Sequence, residues 1–238
     1  MPMRYYPLFL NLSAARCLVV GAGAVGRRKI AALLACRPAE LLVVDPDLNA
    51  EAVRTTAQEA GFSGALLLEK RAFRPEDAEH RTLVFASTPS AAVNSAIADF
   101  CRASGIWCNV AGPLEAGSEG NFLVPAAVQE GPLSLALSTS GCSPALARAL
   151  KEDLKEWLHG GYAALALLLK DLRPRLLALG LGSDADAGIF RALCARPVRE
   201  SLMDALARKD AQALEDTLRP LLPDALSFSA KEFFHGLD

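Results

Sequence analysis

Residues 18–26 read Leu-Val-Val-Gly-Ala-Gly-Ala-Val-Gly, and an acid, Asp45, closes the next apolar run, Leu41-Leu42-Val43-Val44. Glycines at this spacing, between a strand and a helix, do the chemistry of holding a pyrophosphate. Gly21 makes the tight turn, Gly23 lets backbone approach the phosphates, and Gly26 lets the helix pack close to the strand. The helix opens with Ala24 and Val25, and its free N–H groups point at the anion. A glycine turn alone is a common device. The strand before it, the helix after it and a second strand ending in an acid make it a nucleotide site.

Asp45 also selects among dinucleotides. A carboxylate there accepts hydrogen bonds from the adenosine ribose hydroxyls and repels a 2′-phosphate. Positions 45–50, Asp-Pro-Asp-Leu-Asn-Ala, hold no Arg or Lys to receive such a phosphate. Pro46 and Asp47 complete the loop at this ribose end, and the cofactor expected is NAD. The competing role for Asp45 is a simple helix cap, which Asp47 or Asn49 can fill instead.

The elements that must position these groups alternate strand and helix over the first 112 residues. Strands are predicted at 17–20, 41–44, 65–69, 83–86 and 107–110. Helices are predicted at 24–36, 51–60 and 91–104, with a short helical turn at 75–79. This order implies an α/β fold, a Rossmann-type doubly wound parallel sheet with right-handed crossovers. Gly21, Asp45, Ser87-Thr88 and Asn109-Val110 all fall at carboxyl ends of strands, where such sheets bind ligands. Ser87 and Thr88 are therefore expected to touch the cofactor. A glycine-rich loop follows at 112–121. Two apolar runs, 122–124 and 133–138, joined by Gly131-Pro132, read as a strand pair outside the main sheet. Ser143 as N-cap and Pro144 at the first helical position lead into a helix at 145–158. From Tyr162 the pattern is helical, with breaks at 180–182, Pro197 and 220–223, and Leu165, Leu168, Leu169 and Leu172 share one helix face.

Composition excludes several classes. Hydrophobic residues make up 52% and charged residues 22%, and the formal net charge of −2 gives no global basic surface for nucleic acid. The apolar stretch 163–169 is too short to span a bilayer, and 1–11 does not read as a signal peptide, so a cytoplasmic protein with no membrane partner is expected. The six cysteines show no CxxC and no paired Cys/His spacing, so neither a metal site nor a disulfide framework is expected. Cys17 and Cys36 read as small hydrophobes, and Cys142 as a turn residue before a helix.

Beyond the glycine turn, the chain resembles precorrin-2 dehydrogenase, the NAD-dependent module of siroheme synthesis. The resemblance covers roughly residues 4–158. It rests on Tyr6-Pro7-Leu8-Phe9-Leu10-Asn11-Leu12, on Arg28-Lys29, on Ala86-Ser87-Thr88 with Asn94, and on Cys108-Asn109-Val110. It continues through Phe122-Leu123-Val124-Pro125 and Gly131-Pro132-Leu133, and is most specific in Ser138-Thr139-Ser140-Gly141-Cys142-Ser143-Pro144-Ala145-Leu146-Ala147-Arg148. It implies a homodimer with a Rossmann domain (1–112), a small α+β dimerisation segment (113–149) and a C-terminal helical domain (150–238). It implies oxidation of precorrin-2 to sirohydrochlorin with NAD as hydride acceptor; some relatives also insert ferrous iron. The substrate is a macrocycle carrying eight carboxylates. Ser143 at a helix start, Arg148 with Lys151, and Arg28 with Lys29 are candidate donors and cations for it. Asn109 is a neutral donor for the ring edge or the nicotinamide. For each of these, a solvated surface or turn-closing role competes.

The chain departs from the family at two places. Members usually carry Asn-Val-Val-Asp after the fifth strand, and here the string is Asn109-Val110-Ala111-Gly112. After the fourth strand the usual acids give way to Thr88-Pro89-Ser90. Three explanations stand: Glu115 or Glu119 of the glycine loop replaces the aspartate, dehydrogenation runs without a strong protein base, or the chain is a non-catalytic tetrapyrrole- and NAD-binding dimer. Gain of conjugation drives the proton loss, which favours the second; alignment alone removes roughly 7–11 kcal/mol in ideal intramolecular cases. Loss of the acid weakens chelation more, because metal insertion requires removal of pyrrole protons. His80, His159 and His235 are dispersed and read as surface residues.

Overall fold

A computed structural model of the chain describes residues 5–112 and 120–236. It divides into two compact units, Met1–Val124 and Pro125–Asp238. In the first, five parallel strands, β1 (Arg16–Val20), β2 (Glu40–Val44), β3 (Ala65–Glu69), β4 (Leu83–Ala86) and β5 (Trp107–Val110), lie in the order β3-β2-β1-β4-β5. The order reverses between β1 and β4, the switch point where doubly wound sheets open a crevice.

The central strands are continuous apolar runs because both faces of the sheet are covered. Alternate residues of β1, β2 and β4 point to opposite cores. Cys17, Val19, Leu41, Val43 and Phe85 pack with Ile30, Leu33 and Leu34 of α1 (Ala24–Ala35) and Val53 of α2 (Ala50–Glu59). Leu18, Val20, Leu42, Val44 and Val84 pack with Ile97 and Cys101 of α3 (Ala91–Ala103). A 3₁₀ turn at Pro75–Ala78 stands where the short helical turn is expected. Its Asp77 is buried and takes a two-pronged bond from Arg71, Nη1 to Oδ2 at 2.8 Å and Nη2 to Oδ1 at 2.7 Å. Cys17 is buried as expected, and burial pushes its thiol up to about 12. Cys36, in contrast, is exposed at the C-cap of α1.

The second unit opens on an antiparallel pair, β6 (Ala126–Glu130) and β7 (Leu133–Leu137), turned by Gly131 at φ +53°. The first strand lies further along the chain than the apolar run 122–124. That run is held elsewhere: Asn121 lays its side chain along the open edge of β5, accepting from Cys108 N–H (2.7 Å) and donating to the Ile106 carbonyl (2.9 Å). Phe122 then packs edge-on against Phe85 at 5.5 Å, within the first unit. Strand composition at 122–124 loses to this tertiary anchor. Helix α4 (Pro144–His159) packs on β6, and His159 meets Glu130 at 3.1 Å. Five helices follow: α5 (Tyr162–Ala178), α6 (Ser183–Leu193), α7 (Arg196–Ala207), α8 (Ala211–Leu218) and α9 (Ala230–His235). Their core is built on Leu168, Leu172, Leu176, Leu193, Leu202 and Leu214. Leu165 joins it, and Leu169 is half-buried on the same side.

Candidate nucleotide site

The carboxyl ends of the five strands are locked into one row by four backbone bonds. Gly21 N–H donates to Val44 O (2.9 Å), Asp45 N–H to Glu69 O (3.1 Å), Ser87 N–H to Val20 O (2.8 Å) and Ala111 N–H to Ala86 O (2.9 Å). Gly21, Asp45 and Ser87, widely separated in sequence, thus stand side by side at the switch point.

Each glycine has a distinct reason. Gly21 sits at φ +94°, and a Cβ there would stand 2.5 Å from the Ser87 carbonyl oxygen. A Cβ on Gly26 would stand 1.8 Å from the Gly21 carbonyl oxygen, so the first turn of α1 closes directly onto the glycine turn. Gly23 is different. Its φ is −65°, and a Cβ would meet nothing within 4 Å. Nothing in the fold therefore demands glycine at 23; a ligand lying against the backbone there would.

That space faces the N-terminus of α1. Asn49 caps α2 by accepting from Ala52 N–H (3.1 Å), and Ser90 caps α3 by accepting from Val93 N–H (3.4 Å). Among the described residues no side chain caps α1. Its first-turn N–H groups keep their donor capacity beside the empty face of Gly23. Ser87 Oγ is buried here with no hydrogen-bond partner. An uncapped helix, a vacant glycine face and an orphaned hydroxyl fit a bound pyrophosphate.

Asp45 is tied to this turn. One carboxylate oxygen accepts Ala22 N–H at 2.6 Å and the other accepts Asp47 N–H at 2.7 Å. An ionised carboxylate accepts about four hydrogen bonds, so each oxygen retains room for one more donor. Asp45 is not the cap of α2, which is Asn49. Pro46 and Asp47 are exposed beside it.

The remaining candidates fall into three groups. Thr88 and Ser87 lie at the end of β4, but the Thr88 hydroxyl donates to Asn94 Oδ1 at 2.7 Å. Asn94 is the residue whose role sequence reasoning missed. It is 4% exposed, it accepts from Thr88 N–H (3.1 Å), and its amide donates to Thr88 O (2.9 Å) and Ala111 O (3.3 Å). One side chain thus staples the loops after β4 and β5. Its place on the inward face of a helix starting at the Ser90 cap was a readable signal. Asn109 at the end of β5 donates to Phe122 O at 3.1 Å, which closes the returning chain. Arg28 is exposed on α1, whereas Lys29 is half-buried with its Nζ 5.7 Å above the Phe85 ring. Burial, then the Arg28 charge, pushes the Lys29 ammonium below its ordinary value. Ser143 and Arg148 belong to the second unit. Ser143 Oγ caps α4 by accepting Leu146 N–H at 3.1 Å, and Arg148 is exposed on the same helix. Cys142 is exposed in the turn before α4. Glu115 and Glu119 lie outside the described residues. Gly112 sits at φ +108°, so the position of the family aspartate has a backbone that favours glycine.

Fold and turn together define a Rossmann-type dinucleotide-binding protein. Residues 8–126 match the family model described as putative NAD(P)-binding, and residues 130–156 match the one described as sirohaem biosynthesis protein central. The chain belongs to this NAD(P)-binding family, and it is a homologue of siroheme synthases. The siroheme synthase of Methylococcus capsulatus (strain ATCC 33009 / NCIMB 11132 / Bath) is 35% identical over 174 residues, 73% of this chain and 35% of the relative. That of Enterobacter sp. (strain 638) is 32% identical over 229 residues, 94% of this chain and 47% of the relative. The chain thus spans between about a third and a half of these relatives. A solved structure described as SirC, precorrin-2 dehydrogenase, superposes with a TM-score of 0.70 at 25% identity, covering 91% of this chain and 98% of that one. Among the described residues no helix is long and apolar enough to cross a membrane.

Proposed function

We propose that the chain is an NAD-dependent precorrin-2 dehydrogenase that oxidises precorrin-2 to sirohydrochlorin in siroheme biosynthesis, located in the cytoplasm. The observation that carries this reading is the likeness, over nearly the whole of both chains, to a structure described as a precorrin-2 dehydrogenase. The glycine turn with its uncapped helix supports it, because that turn offers the anion site the cofactor needs.

In this reading Gly21, Gly23, Ala24, Val25 and Gly26 hold the pyrophosphate. Asp45, with Pro46 and Asp47, holds the adenosine ribose, while Ser87 and Thr88 flank the path toward the nicotinamide. NAD is favoured over NADP because a carboxylate already accepting two N–H groups has lone pairs for hydroxyls and repels a phosphate dianion. Bound there, the cofactor supplies hydride acceptance. In the first unit Asn109 and Arg28 offer a neutral donor and a positive charge to carboxylates of the substrate, and in the second unit Ser143 and Arg148 offer the same. Gain of conjugation lets the accompanying proton pass to solvent, so no strong base is required at Gly112. The same glycine weighs against an added ferrochelatase activity.

We also infer a homodimer divided into a Rossmann domain, a dimerisation segment and a helical domain. Leu146 and Trp157 on α4, 51% and 53% exposed, support an apolar contact for a second copy. Sedimentation of a 25.2 kDa monomer at micromolar concentration would contradict it.

Anaerobic incubation of the purified chain with precorrin-2 and NAD is expected to yield sirohydrochlorin and NADH in equal amounts. Retention of NAD and tetrapyrrole without oxidation would overturn the reading and leave the non-catalytic binding dimer.

A further inference from the structure

We propose that Lys70 is a second determinant of cofactor choice: it stands beside Asp45 and, by receiving the adenosine 2′-phosphate, gives the site a secondary capacity for NADP. The inference rests on the dinucleotide reading of the turn from β1 into α1 and concerns only the adenosine end of that site.

Positions 45–50 hold no cation, and sequence order hides the one that the sheet brings to them. Strands β2 and β3 run parallel with Val44 opposite Glu69. Asp45 N–H donates to Glu69 O at 3.1 Å, which carries the parallel ladder one residue further. Lys70 is thereby the lateral neighbour of Asp45. Residues opposite each other on neighbouring strands emerge on the same face of a sheet, and the strands lie about 4.8 Å apart. A flexible four-carbon stem carrying an ammonium covers that gap. The row of strand ends that holds Ser87, Gly21 and Asp45 thus continues to Lys70.

The surroundings fix the backbone at Lys70 and leave its charge available. Before it, β3 is bonded to β2. After it, the buried Asp77 accepts both terminal nitrogens of Arg71, and also Arg74 N–H at 2.8 Å. Arg71 Nε is spent as well, on the Glu69 carboxylate at 3.3 Å. Lys70 itself is exposed and makes no hydrogen bond or ion pair among the described residues.

The two neighbours act on different chemical groups. Asp45 accepts from a neutral ribose hydroxyl and repels a phosphate placed there, and the exposed Asp47 adds to that repulsion. An ammonium beside them offsets part of it and donates to the phosphate oxygens. It has little to gain from a neutral hydroxyl that Asp45 already holds. Lys70 therefore bears on NADP and hardly on NAD, and Asp45 keeps NAD the preferred cofactor.

Calorimetric titration of the full chain with NAD and with NADP tests this, using Lys70→Met and Lys70→Arg beside the parent. Position 70 is exposed and past the end of β3, so both variants are expected to keep the parent Tm. Lys70→Met should weaken NADP about tenfold and change NAD less than about twofold. Lys70→Arg should retain the parent affinity for NADP. Raising salt from about 0.1 M to about 1 M should narrow the NADP gap between parent and Lys70→Met, because an exposed ion pair is screened. NADP binding that is undetectable in the parent at millimolar concentration while NAD binds would overturn the proposal. So would unchanged NADP affinity in Lys70→Met, or an equal loss of both cofactors. Absence of binding by NAD and NADP alike would overturn the dinucleotide reading as well, so the two failures are distinguishable.

Discussion

Gly23 and Gly26 stand three residues apart and obey opposite physics. Gly26 is demanded by folding, because any Cβ would run into the Gly21 carbonyl. Gly23 is not, since its backbone is ordinary and the space before it is open. Gly26→Ala should therefore destabilise the first unit by about 3 kcal/mol or more, lowering Tm by roughly 6–12 °C. Gly23→Ala should cost less than about 1 kcal/mol, the usual price at an N-cap, yet weaken NAD by at least about tenfold. Thermal melts with and without NAD separate the two, and equal losses of Tm would contradict the assignment. Both glycines were legible from spacing alone. The orphaned Ser87 hydroxyl was not, because its isolation comes from β4 lying beside β1.

Asn94 joins two elements that the sequence shows only as separate strand ends. Its amide meets Thr88 and Ala111, so Asn94→Ala leaves two carbonyls and an N–H short of partners. A loss of about 2–4 kcal/mol in urea unfolding is expected, together with weaker NAD binding. Unchanged NAD affinity would reduce Asn94 to a purely structural staple. The turn after β3 carries a pH signature. Hydrogen bonds from Arg71 hold the Asp77 carboxyl below its ordinary value. A depressed folded value means the stabilisation is present above the unfolded value, near pH 4, and is lost as pH falls through the folded one. Urea titrations from pH 7 to 3 should show a shallower acid decline in Asp77→Asn than in the parent, and parallel declines would contradict it. The five parallel strands were readable because their runs are apolar on both faces and end in turn residues. The strand expected at 122–124 was not, because Asn109 and Asn121 bind that stretch to the edge of β5, and only the assembled sheet creates that edge.

At the scale of the molecule, sequence patterning implies a parallel α/β sheet followed by C-terminal helices, and the structure has both. Chirality decides which face of the sheet each crossover helix covers, while the order β3-β2-β1-β4-β5 is seen only in the folded sheet. An adenine dinucleotide must bind at one joint of the molecule, the turn from β1 into α1 beside Asp45. Calorimetric titration of the purified chain tests this most directly. NAD should bind with a single-site isotherm, NADP at least about tenfold more weakly, and Asp45→Ala should erase most of that difference while lowering NAD affinity. Failure of both NAD and NADH to bind the folded chain would contradict the account.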